Sequence, residues 1–260
     1  MYLIAELGSC FQPGKPETLL DAAQAAMDAG ADCVKLQVFG AQELARRRGG
    51  DPERLRPFEI DQRTFNMLAE GLGRKSIPFG TSVFGPASAN TVCGHLASMA
   101  FLKTATQEYQ YAILAERVSA YAASAETPLL VSVPPDACLT VGNYWSDKPI
   151  TWLACVPHYP ASWEDYIGPW VGGQPRYAVL ARMFDTLPGR FGISDHTPKA
   201  ELHRCLKERL GDKFSGKLVV WEKHFCYDES LRDHVPDGGP WSLSKTNFAK
   251  FARMLHGDAS

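Results

Sequence analysis

The segment LVVWEKHFC, residues 218–226, joins an apolar run to three consecutive ionisable side chains. The apolar half reads as a buried strand, and Glu222, Lys223 and His224 follow it directly. Burial of an unpaired charge is costly, so this trio needs an opening, an ion-pair partner or a metal. Side chains alternate along a strand, so Glu222 and His224 are predicted to share one side. Lys223 is predicted to point away from them, toward a helix layer or a neighbouring carboxylate.

A second histidine ends the preceding predicted strand. RFGISD, residues 190–195, is followed directly by His196. Neighbouring parallel strands would bring His196 and His224 to the same edge, where two imidazoles suit Mn, Zn or Fe and leave positions open for substrate oxygens. The alternative is that both are core histidines satisfied by carboxylates. We favour the metal interpretation because the two histidines end adjacent strands.

Eight short runs rich in Val, Ile and Leu alternate along the chain with segments of helical period. This alternation is typical of βα units, and eight units close a TIM barrel, so the predicted fold is one α/β domain over residues 1–260, a (β/α)8 barrel. The predicted strands are 2–8, 32–39, 77–83, 99–105, 128–133, 150–156, 190–195 and 217–225. The predicted helices are 16–31, 61–73, 86–97, 108–125, 163–183, 198–211 and 244–256. Residues 134–149 lack a helical period, so helix five is predicted to be reduced to a turn or missing.

Polar residues accumulate where the predicted strands end, which is the face that carries TIM-barrel active sites. They are Glu6, Lys35, Gln37, Thr81, Ser82, Lys103, Thr106, Ser132, Tyr159, Ser194, Asp195, His196, Glu222, Lys223 and His224. Packing alone does not account for so many. Two strand-borne lysines aimed at one mouth favour an anion site, although each could instead be salt-bridged.

Composition narrows the class of partner. The 260 residues are 45% hydrophobic and 22% charged with a formal net charge of -2, which gives no electrostatic footprint for nucleic acid or an anionic membrane. The seven cysteines are scattered without a CxxC pair and read as reduced, small buried hydrophobes, Cys155 included. The first residues do not form a signal peptide and no run is long enough for a membrane span. We therefore expect a cytoplasmic protein that acts on small molecules.

Nine motifs resemble the sialic acid synthase (N-acetylneuraminate synthase) family. They are IAELG (4–8), AGADCVKLQVF (29–39), FGTSVF (79–84), KTATQE (103–108), PLLVSV (128–133), CVPHYPAS (155–162), GISDHT (192–197), EKHF (222–225) and GPWSL (239–243). Each is weak alone, but nine in order at barrel strand ends are specific. The resemblance implies a TIM barrel that condenses phosphoenolpyruvate with the open-chain aldehyde of an N-acetylated sugar, using a divalent metal, Mn or Mg.

The resemblance also implies roles for particular residues. It makes His196 and His224 the metal ligands and assigns Glu222, Lys103 and Asp237 to the reacting groups. The residues implied to bind substrate are Lys35, Gln37, Ser82, Phe84, Thr106, Ser132, Tyr159 and Ser194. The physical chemistry agrees, because a phosphorylated dianion needs cations and hydroxyl donors while an aldehyde needs a Lewis acid. A homodimer is implied as well.

The chain departs from the family where the sugar would bind. The family commonly has Asn-His after strand one, where this chain has Cys10 and Phe11, and His-Cys and Asn near strand six, where it has Ala154 and Pro157. Asp237 matches the family's acid only with a one-residue slip. The usual antifreeze-like domain, which lends an Arg to the partner subunit, has no counterpart here. We therefore expect a different acceptor aldehyde, or a separate partner that completes the sugar site.

Other interpretations stay open. Lys103 could be the Schiff-base nucleophile of an aldolase, because a desolvated lysine beside another cation has a lowered pKa. The barrel could also have lost catalysis and serve as a binding subunit, although both histidines and both lysines are retained. Arg46 to Arg48 read as a solvated run, with a substrate clamp as the alternative. His158 reads as a loop residue, with a substitute metal ligand as the alternative.

Overall fold

The computed structural model describes residues 1–135, 145, 149–168, 176–198, 200–211 and 218–257. Eight parallel strands close into one barrel in sequence order, with the last strand paired to the first. The strands are β1 Tyr2–Glu6, β2 Cys33–Val38, β3 Phe79–Val83, β4 Phe101–Thr104, β5 Leu129–Val133, β6 Ile150–Cys155, β7 Arg190–Asp195 and β8 Leu218–His224. All eight predicted strands and the predicted TIM barrel are confirmed. Strands covered on both faces read as nearly continuous apolar runs, which is why they could be recognised.

Helices surround the barrel. They are α1 Leu19–Asp28, α2 Ala41–Arg48, α3 Pro52–Leu55, α4 Gln62–Arg74, α5 Pro86–Val92, α6 Ala112–Ser124, α7 Trp163–Ile167, α8 Arg176–Thr186, α9 Glu201–Leu210 and α10 Lys245–His256. The region predicted as one helix over 163–183 contains α7 and α8, with 169–175 outside the described residues. The expectation about helix five falls on 134–149, of which 136–144 and 146–148 also lie outside the described residues.

Two helices after β2 were not expected from the sequence. In α2 only Ala41, Leu44 and Ala45 are buried, and the rest of the helix is polar. An apolar stripe of one large and two small residues gives a weak helical period. In α3 no residue is buried, and the helix is started by Asp51, whose carboxylate accepts the backbone N–H of Glu53 at 2.9 Å. Arg46 to Arg48, which were read as a solvated run without a helix, form the last turn of α2.

The pairing register brings polar side chains level with one another around the barrel. Glu6 pairs with Lys35 across β1 and β2, and Ser82 with Lys103 across β3 and β4. Ser194 pairs with Glu222 across β7 and β8, and Glu6 with His224 where the barrel closes. Because the strands are parallel, these pairs all lie near the carboxyl ends.

The residues one step lower on the same side of each strand are apolar. Ile4, Cys33, Phe101, Leu130, Leu153 and Val220 form a separate buried cluster inside the barrel, here called the lower layer. Gly80 and Gly192 complete this level. A Cβ on Gly80 would lie 2.4 Å from the Phe101 ring, and one on Gly192 would lie 2.4 Å from Leu153 Cδ2. The glycines therefore leave the space that the large neighbouring side chains fill.

Lys223 points out of the barrel, as predicted from strand alternation. Its Nζ lies 3.0 Å from Asp195 Oδ2, and both side chains are fully buried. The same ammonium donates to the Thr197 backbone carbonyl. The charge of Lys223 is thus satisfied between β7 and β8. Among the described residues no helix combines the length and apolar character needed to cross a membrane.

Candidate active site

A cavity of about 140 Å³ opens at the carboxyl ends of the strands. Every residue to which the resemblance gave a role lines it: Lys35, Gln37, Ser82, Phe84, Lys103, Thr106, Ser132, Tyr159, Ser194, His196, Glu222, His224 and Asp237. Thr81, Asp195 and Lys223, which the sequence analysis counted with them at the strand ends, do not line it, because side chains alternate between the two faces of a strand. Residues from all eight βα units contribute. The barrel therefore brings the predicted set together, while the role of each residue stays a prediction.

Four buried charged groups form the floor of the cavity. Lys35 Nζ pairs with Glu6 Oε2, donates to Ser82 Oγ at 2.9 Å and lies 3.4 Å from Glu222 Oε2. Lys103 Nζ donates to Glu222 Oε1. Each lysine thus has a carboxylate partner, and we call Glu6, Lys35, Lys103 and Glu222 the floor quartet.

The quartet sets unequal pKa values for its two carboxyl groups. Burial raises the pKa of Glu222, but Lys103 and Lys35 outweigh it and hold that pKa well below its usual range. Ser194 Oγ also donates to Glu222 Oε1 at 2.7 Å, which favours the charged form. Burial raises the pKa of Glu6 to about 7, against the opposing effect of Lys35. Glu222 is therefore ionised at neutral pH, whereas Glu6 can gain or lose a proton near neutral pH.

The sequence left two interpretations of Lys35 and Lys103 open, an anion site and salt bridges. Both lysines form salt bridges, and their partners Glu6 and Glu222 lie at the same level of the barrel. Burial lowers the pKa of Lys103, although Glu222 opposes the shift. An anionic ligand would have to share these ammonium groups with the two glutamates. Ser132 Oγ is buried with no hydrogen-bond partner among the described residues, which leaves a donor available on this floor.

The two candidate metal ligands lie on one wall of the cavity. The ring centroids of His196 and His224 are 5.3 Å apart. His196 Nδ1 lies 2.7 Å from the Val156 carbonyl, which directs Nε2 toward the Tyr159 hydroxyl at 3.1 Å. Burial lowers the pKa of His224 well below its usual value, so its imidazole is neutral, the form that binds metals.

The donor set fits a metal only in part. His224 Nδ1 is buried and has no hydrogen-bond partner within the described part of the chain. In the same part, no group of three His, Cys, Asp or Glu side chains is arranged to hold a metal ion. The protein therefore offers two imidazole nitrogens, and oxygens from substrate or water would have to complete the coordination. Such a mixed set is compatible with a divalent cation that keeps open positions.

Cys155 corrects the expectation that the cysteines are inert buried hydrophobes. It lines the cavity, and its Sγ lies 3.8 Å from His196 Nε2. Burial raises its pKa, but His196 and then Lys103 outweigh burial and bring the pKa of the thiol down to about 7. The sequence did not reveal this, because both cationic neighbours come from other strands.

One lip of the cavity carries arginines from α2. Arg48 lines the cavity beside Phe84, and Glu108, which is fully buried, accepts hydrogen bonds from Arg48 and Arg47. The sequence left Arg46 to Arg48 open between a solvated run and a clamp, and Arg48 is the member that lines the cavity. His158 does not line it and lies 3.1 Å from the Asp165 carboxylate instead.

A second lip of the cavity is built by Asp237 and the turn after β1. Asp237 Oδ2 accepts the backbone N–H and the hydroxyl of Ser9, each at 2.8 Å. Gly8 has φ +48°, and a Cβ there would lie 2.5 Å from Asp237 Oδ2. Only glycine allows this close approach without strain. Asp237, aligned with the family's acid by a one-residue slip, is therefore at the cavity.

Sequence reasoning gave no role to several other residues of the wall. Glu6 was recognised only as a polar strand end, and Gln107 and Pro157 were not recognised as lining. Periodicity could have signalled Glu6, because it follows the apolar Ile4 on the same side of β1. No local signal marks Gln107, which reaches the cavity only because of how the loop after β4 folds.

A family model matches most of the chain. The NeuB family model matches residues 22–256, which include β2 to β8. A search among curated proteins found no relative that matches significantly.

Solved structures with the same fold include two classes of synthase. The N-acetylneuraminic acid (sialic acid) synthetase of Leptospira borgpetersenii serovar Hardjo-bovis aligns with a TM-score of 0.76 at 21% identity, covering 98% of this chain and 82% of that chain. The spore coat polysaccharide biosynthesis protein spsE of Bacillus subtilis aligns at 0.65 and 23%, covering 100% and 70%. A truncated 3-deoxy-D-arabino-heptulosonate 7-phosphate synthase of Thermotoga maritima aligns at 0.65 and 11%, covering 100% and 86%. At these identities the likeness establishes the fold alone.

Proposed function

Because the chain belongs to the NeuB family, we propose that it condenses phosphoenolpyruvate with the aldehyde of an open-chain sugar. The products are a 2-keto sugar acid and inorganic phosphate. The single observation that carries this proposal is the convergence of every family-matched residue on one cavity. Packing alone does not account for a polar cavity lined by residues from all eight βα units.

The floor quartet and its hydroxyls suit the donor. Phosphoenolpyruvate carries a phosphate and a carboxylate, and charge-assisted hydrogen bonds from ammonium groups are the strongest contacts available to both. Lys35 and Lys103 supply the cations, and Ser82, Ser132 and Ser194 surround them with hydroxyls. Two lysines matched by two glutamates also offset most of the charge of the floor, which limits the cost of burying it.

The reaction needs one new carbon–carbon bond and one proton acceptor. C3 of phosphoenolpyruvate attacks the aldehyde carbon, water adds at C2, and phosphate leaves as C2 becomes the ketone. Glu222 stands as a fixed anion that stabilises positive charge developing at C2. Glu6, with a pKa of about 7, is the group able to accept one proton from the attacking water and pass it to the former aldehyde oxygen, which becomes a hydroxyl. The second proton of that water leaves with the phosphate when C2 becomes the ketone. When bound by His196 and His224, a divalent ion would supply Lewis-acid polarisation of the aldehyde oxygen.

A second candidate is a Schiff-base aldolase that uses Lys103. One observation favours it, because burial lowers the pKa of Lys103 and a neutral amine is the nucleophile. Its ion pair with Glu222 opposes it, because that pair keeps the amine protonated. Borohydride reduction in the presence of pyruvate decides between them: a covalent adduct on Lys103, located by mass spectrometry, would support the aldolase and contradict the synthase.

The main test measures phosphate release from phosphoenolpyruvate against a panel of aldoses, with Mn or Mg added. Release that requires both an aldose and the protein supports the synthase. Calorimetry should separately detect phosphoenolpyruvate binding without any sugar. No binding to the metal-loaded protein would contradict the proposed donor.

The metal assignment has its own readout. His196→Ala and His224→Ala should each lose bound Mn, measured by equilibrium dialysis and elemental analysis, while circular dichroism stays unchanged. His158→Ala is the matched control, because its imidazole is exposed and pairs with Asp165. Normal metal content in both single variants would contradict the assignment.

A further inference from the structure

Two arginines at the lip of the cavity share a single buried carboxylate. Arg48 donates to Glu108 through both Nε, at 3.0 Å, and Nη2, and Arg47 Nη2 lies 3.5 Å from Glu108 Oε1. The Glu108 side chain is 0% exposed, whereas those of Arg47 and Arg48 are 23% and 28% exposed. One negative charge therefore faces two positive charges, and the excess positive charge lies on the solvent side.

The contacts of Arg48 leave part of its guanidinium available. Glu108 occupies the Nε–Nη2 edge, and Nη1 has no hydrogen bond among the described residues. A guanidinium can bind a second carboxylate or phosphate through the edge that is left. Arg47 differs, because its Nη1 donates to the Phe84 carbonyl and its guanidinium lies 4.2 Å from the Tyr111 ring centroid.

The free edge of Arg48 is also held in place. Glu108 fixes the guanidinium on one side, and the Phe84 ring centroid lies 5.1 Å from Arg48 Cζ. Both Arg48 and Phe84 line the cavity. A cation whose orientation is fixed before a ligand arrives loses less conformational entropy on binding.

Charge differs between the floor and the two lips. Lys35 and Lys103 are matched by Glu6 and Glu222 on the floor, and the second lip carries the carboxylate of Asp237. Arg48 differs from Lys35 and Lys103 because its carboxylate partner, Glu108, is not among the described residues that line the cavity. A negative group on a ligand would be attracted by Arg48 and repelled by Asp237.

We propose that Arg48 is a specificity-determining residue that binds an anionic group, a carboxylate or a phosphate ester, on the acceptor sugar. The identity of the ligand as acceptor rests on the proposed synthase function, but the binding of an acidic sugar at Arg48 does not. The aldehyde end would then lie toward the histidines and the floor, with the anionic end at the lip. Arg47 acts as a positioning residue that shares Glu108.

Three probes that differ only at C6 test this proposal: N-acetylmannosamine, its 6-phosphate and the corresponding uronic acid. Calorimetric titration, with and without saturating phosphoenolpyruvate, should show that the wild type binds at least one of the two acidic sugars at least tenfold more tightly than the neutral one. Arg48→Ala should weaken the acidic sugars by roughly 10- to 100-fold, as expected for hydrogen bonds to a charged group, and leave the neutral sugar unchanged. A response of only the phosphate or only the carboxylate identifies which group the lip selects.

Matched variants separate binding from folding. Arg46→Ala removes the same charge from the same helix, but Arg46 is exposed and does not line the cavity, so it should bind all three sugars as the wild type does. Arg48→Lys keeps a cation for Glu108 but loses the second edge, so it should fold normally and bind acidic sugars with intermediate affinity. Lys35→Ala should keep the acidic-sugar preference, because Lys35 belongs to the floor.

Three results would overturn the proposal: equal wild-type affinity for the three sugars, no binding of either acidic sugar, or an equal loss for all three in Arg48→Ala. Loss of the acidic-sugar preference in Lys35→Ala would also overturn it, because the sugar anion would then occupy the floor. Failure of phosphoenolpyruvate to bind, together with Arg48-dependent binding of acidic sugars, would contradict the synthase function and leave the assignment of Arg48 intact.

Discussion

The interior of the barrel has two levels with opposite chemistry on the same strands. The lower layer is apolar, with residues such as Ile4, Phe101 and Leu153. Two residues later on the same side, β1 carries Glu6, β4 carries Lys103 and β6 carries Cys155. The levels are separated by one repeat of strand alternation, about 7 Å along the chain. Both are buried, so depth alone does not explain the difference.

The two levels are stabilised by different interactions. The lower layer is held by volume, because large side chains fill the space that Gly80 and Gly192 leave. The upper level is held by charge pairing, because each buried ammonium meets a carboxylate. A substitution that leaves a cavity in the lower layer should therefore lower the free energy of unfolding without changing ligand affinity. A substitution that breaks an ion pair of the upper level should change both.

The largest expected effect is from breaking the charge pairing. Glu222→Gln leaves Lys35 and Lys103 short of their shared anion, and we expect a loss of about 3–5 kcal/mol in the free energy of unfolding. Urea denaturation monitored by circular dichroism measures it. Glu53→Gln, which breaks the exposed pair with Arg56, is the control and should leave the midpoint unchanged. A loss no larger than that of the control would mean that the upper level does not depend on pairing.

A defect of volume in the lower layer should come next. Leu153→Ala removes a fully buried side chain, so we expect about 2–5 kcal/mol of destabilisation. Leu153→Met, which nearly conserves volume, should cost less than about 1.5 kcal/mol. Phosphoenolpyruvate affinity, measured by calorimetry, should be unchanged in both variants. A large change in affinity at constant fold would show that the two levels are coupled.

The third effect is on ligand binding at the upper level. Lys35→Ala should weaken phosphoenolpyruvate binding by about 1.5–3 kcal/mol, the range for a hydrogen bond to a charged group. Lys245→Ala is the matched control, because its exposed ammonium pairs with Asp28 and does not line the cavity. Calorimetry with both variants checks the prediction, and equal affinities would remove Lys35 from the donor site.

The smallest effect per unit change of conditions concerns the proton on Glu6. Its pKa is raised from 4.5 to about 7, so the native protein holds a proton that the unfolded chain has already lost between these pH values. The free energy of unfolding should therefore fall as pH rises through this window. Glu6→Gln should remove that contribution, so the stability of the variant relative to the wild type should rise with pH, by at most about 1.4 kcal/mol per pH unit.

Glu222 should change the free energy of unfolding with pH in the opposite direction to Glu6, which provides a check on the raised pKa of Glu6. Its pKa is lowered by Lys103 and Lys35, so its contribution is present above its unfolded pKa and is lost as pH falls below about 4.5. Denaturation curves from pH 3 to 8 for the wild type and Glu6→Gln separate the two windows. A constant difference between the two proteins from about pH 4.5 to 7 would contradict the raised pKa of Glu6.

Much of the fold and of the candidate site follows from local sequence pattern. The eight strands were recognisable because burial on both faces produces continuous apolar runs, and Glu222, Lys223 and His224 could be assigned to their sides because alternation has a fixed period. Barrel topology then places strand ends together, so residues as distant as Lys35 and His224 could be grouped without coordinates. The helix α2 escaped this reasoning because its buried stripe is small.

The partners of the charged groups were decided only by the tertiary structure. Sequence pattern put Lys35 and Lys103 at one mouth, but the shared carboxylate of Glu222 depends on the register and closure of the barrel. The lowered pKa of Cys155 depends on His196 and Lys103, which come from other strands. The free edge of Arg48 depends on Glu108, sixty residues further along the chain. Electrostatic interactions depend on distances of a few ångströms between charged groups. These distances are set only when the barrel folds, so the local sequence does not contain them.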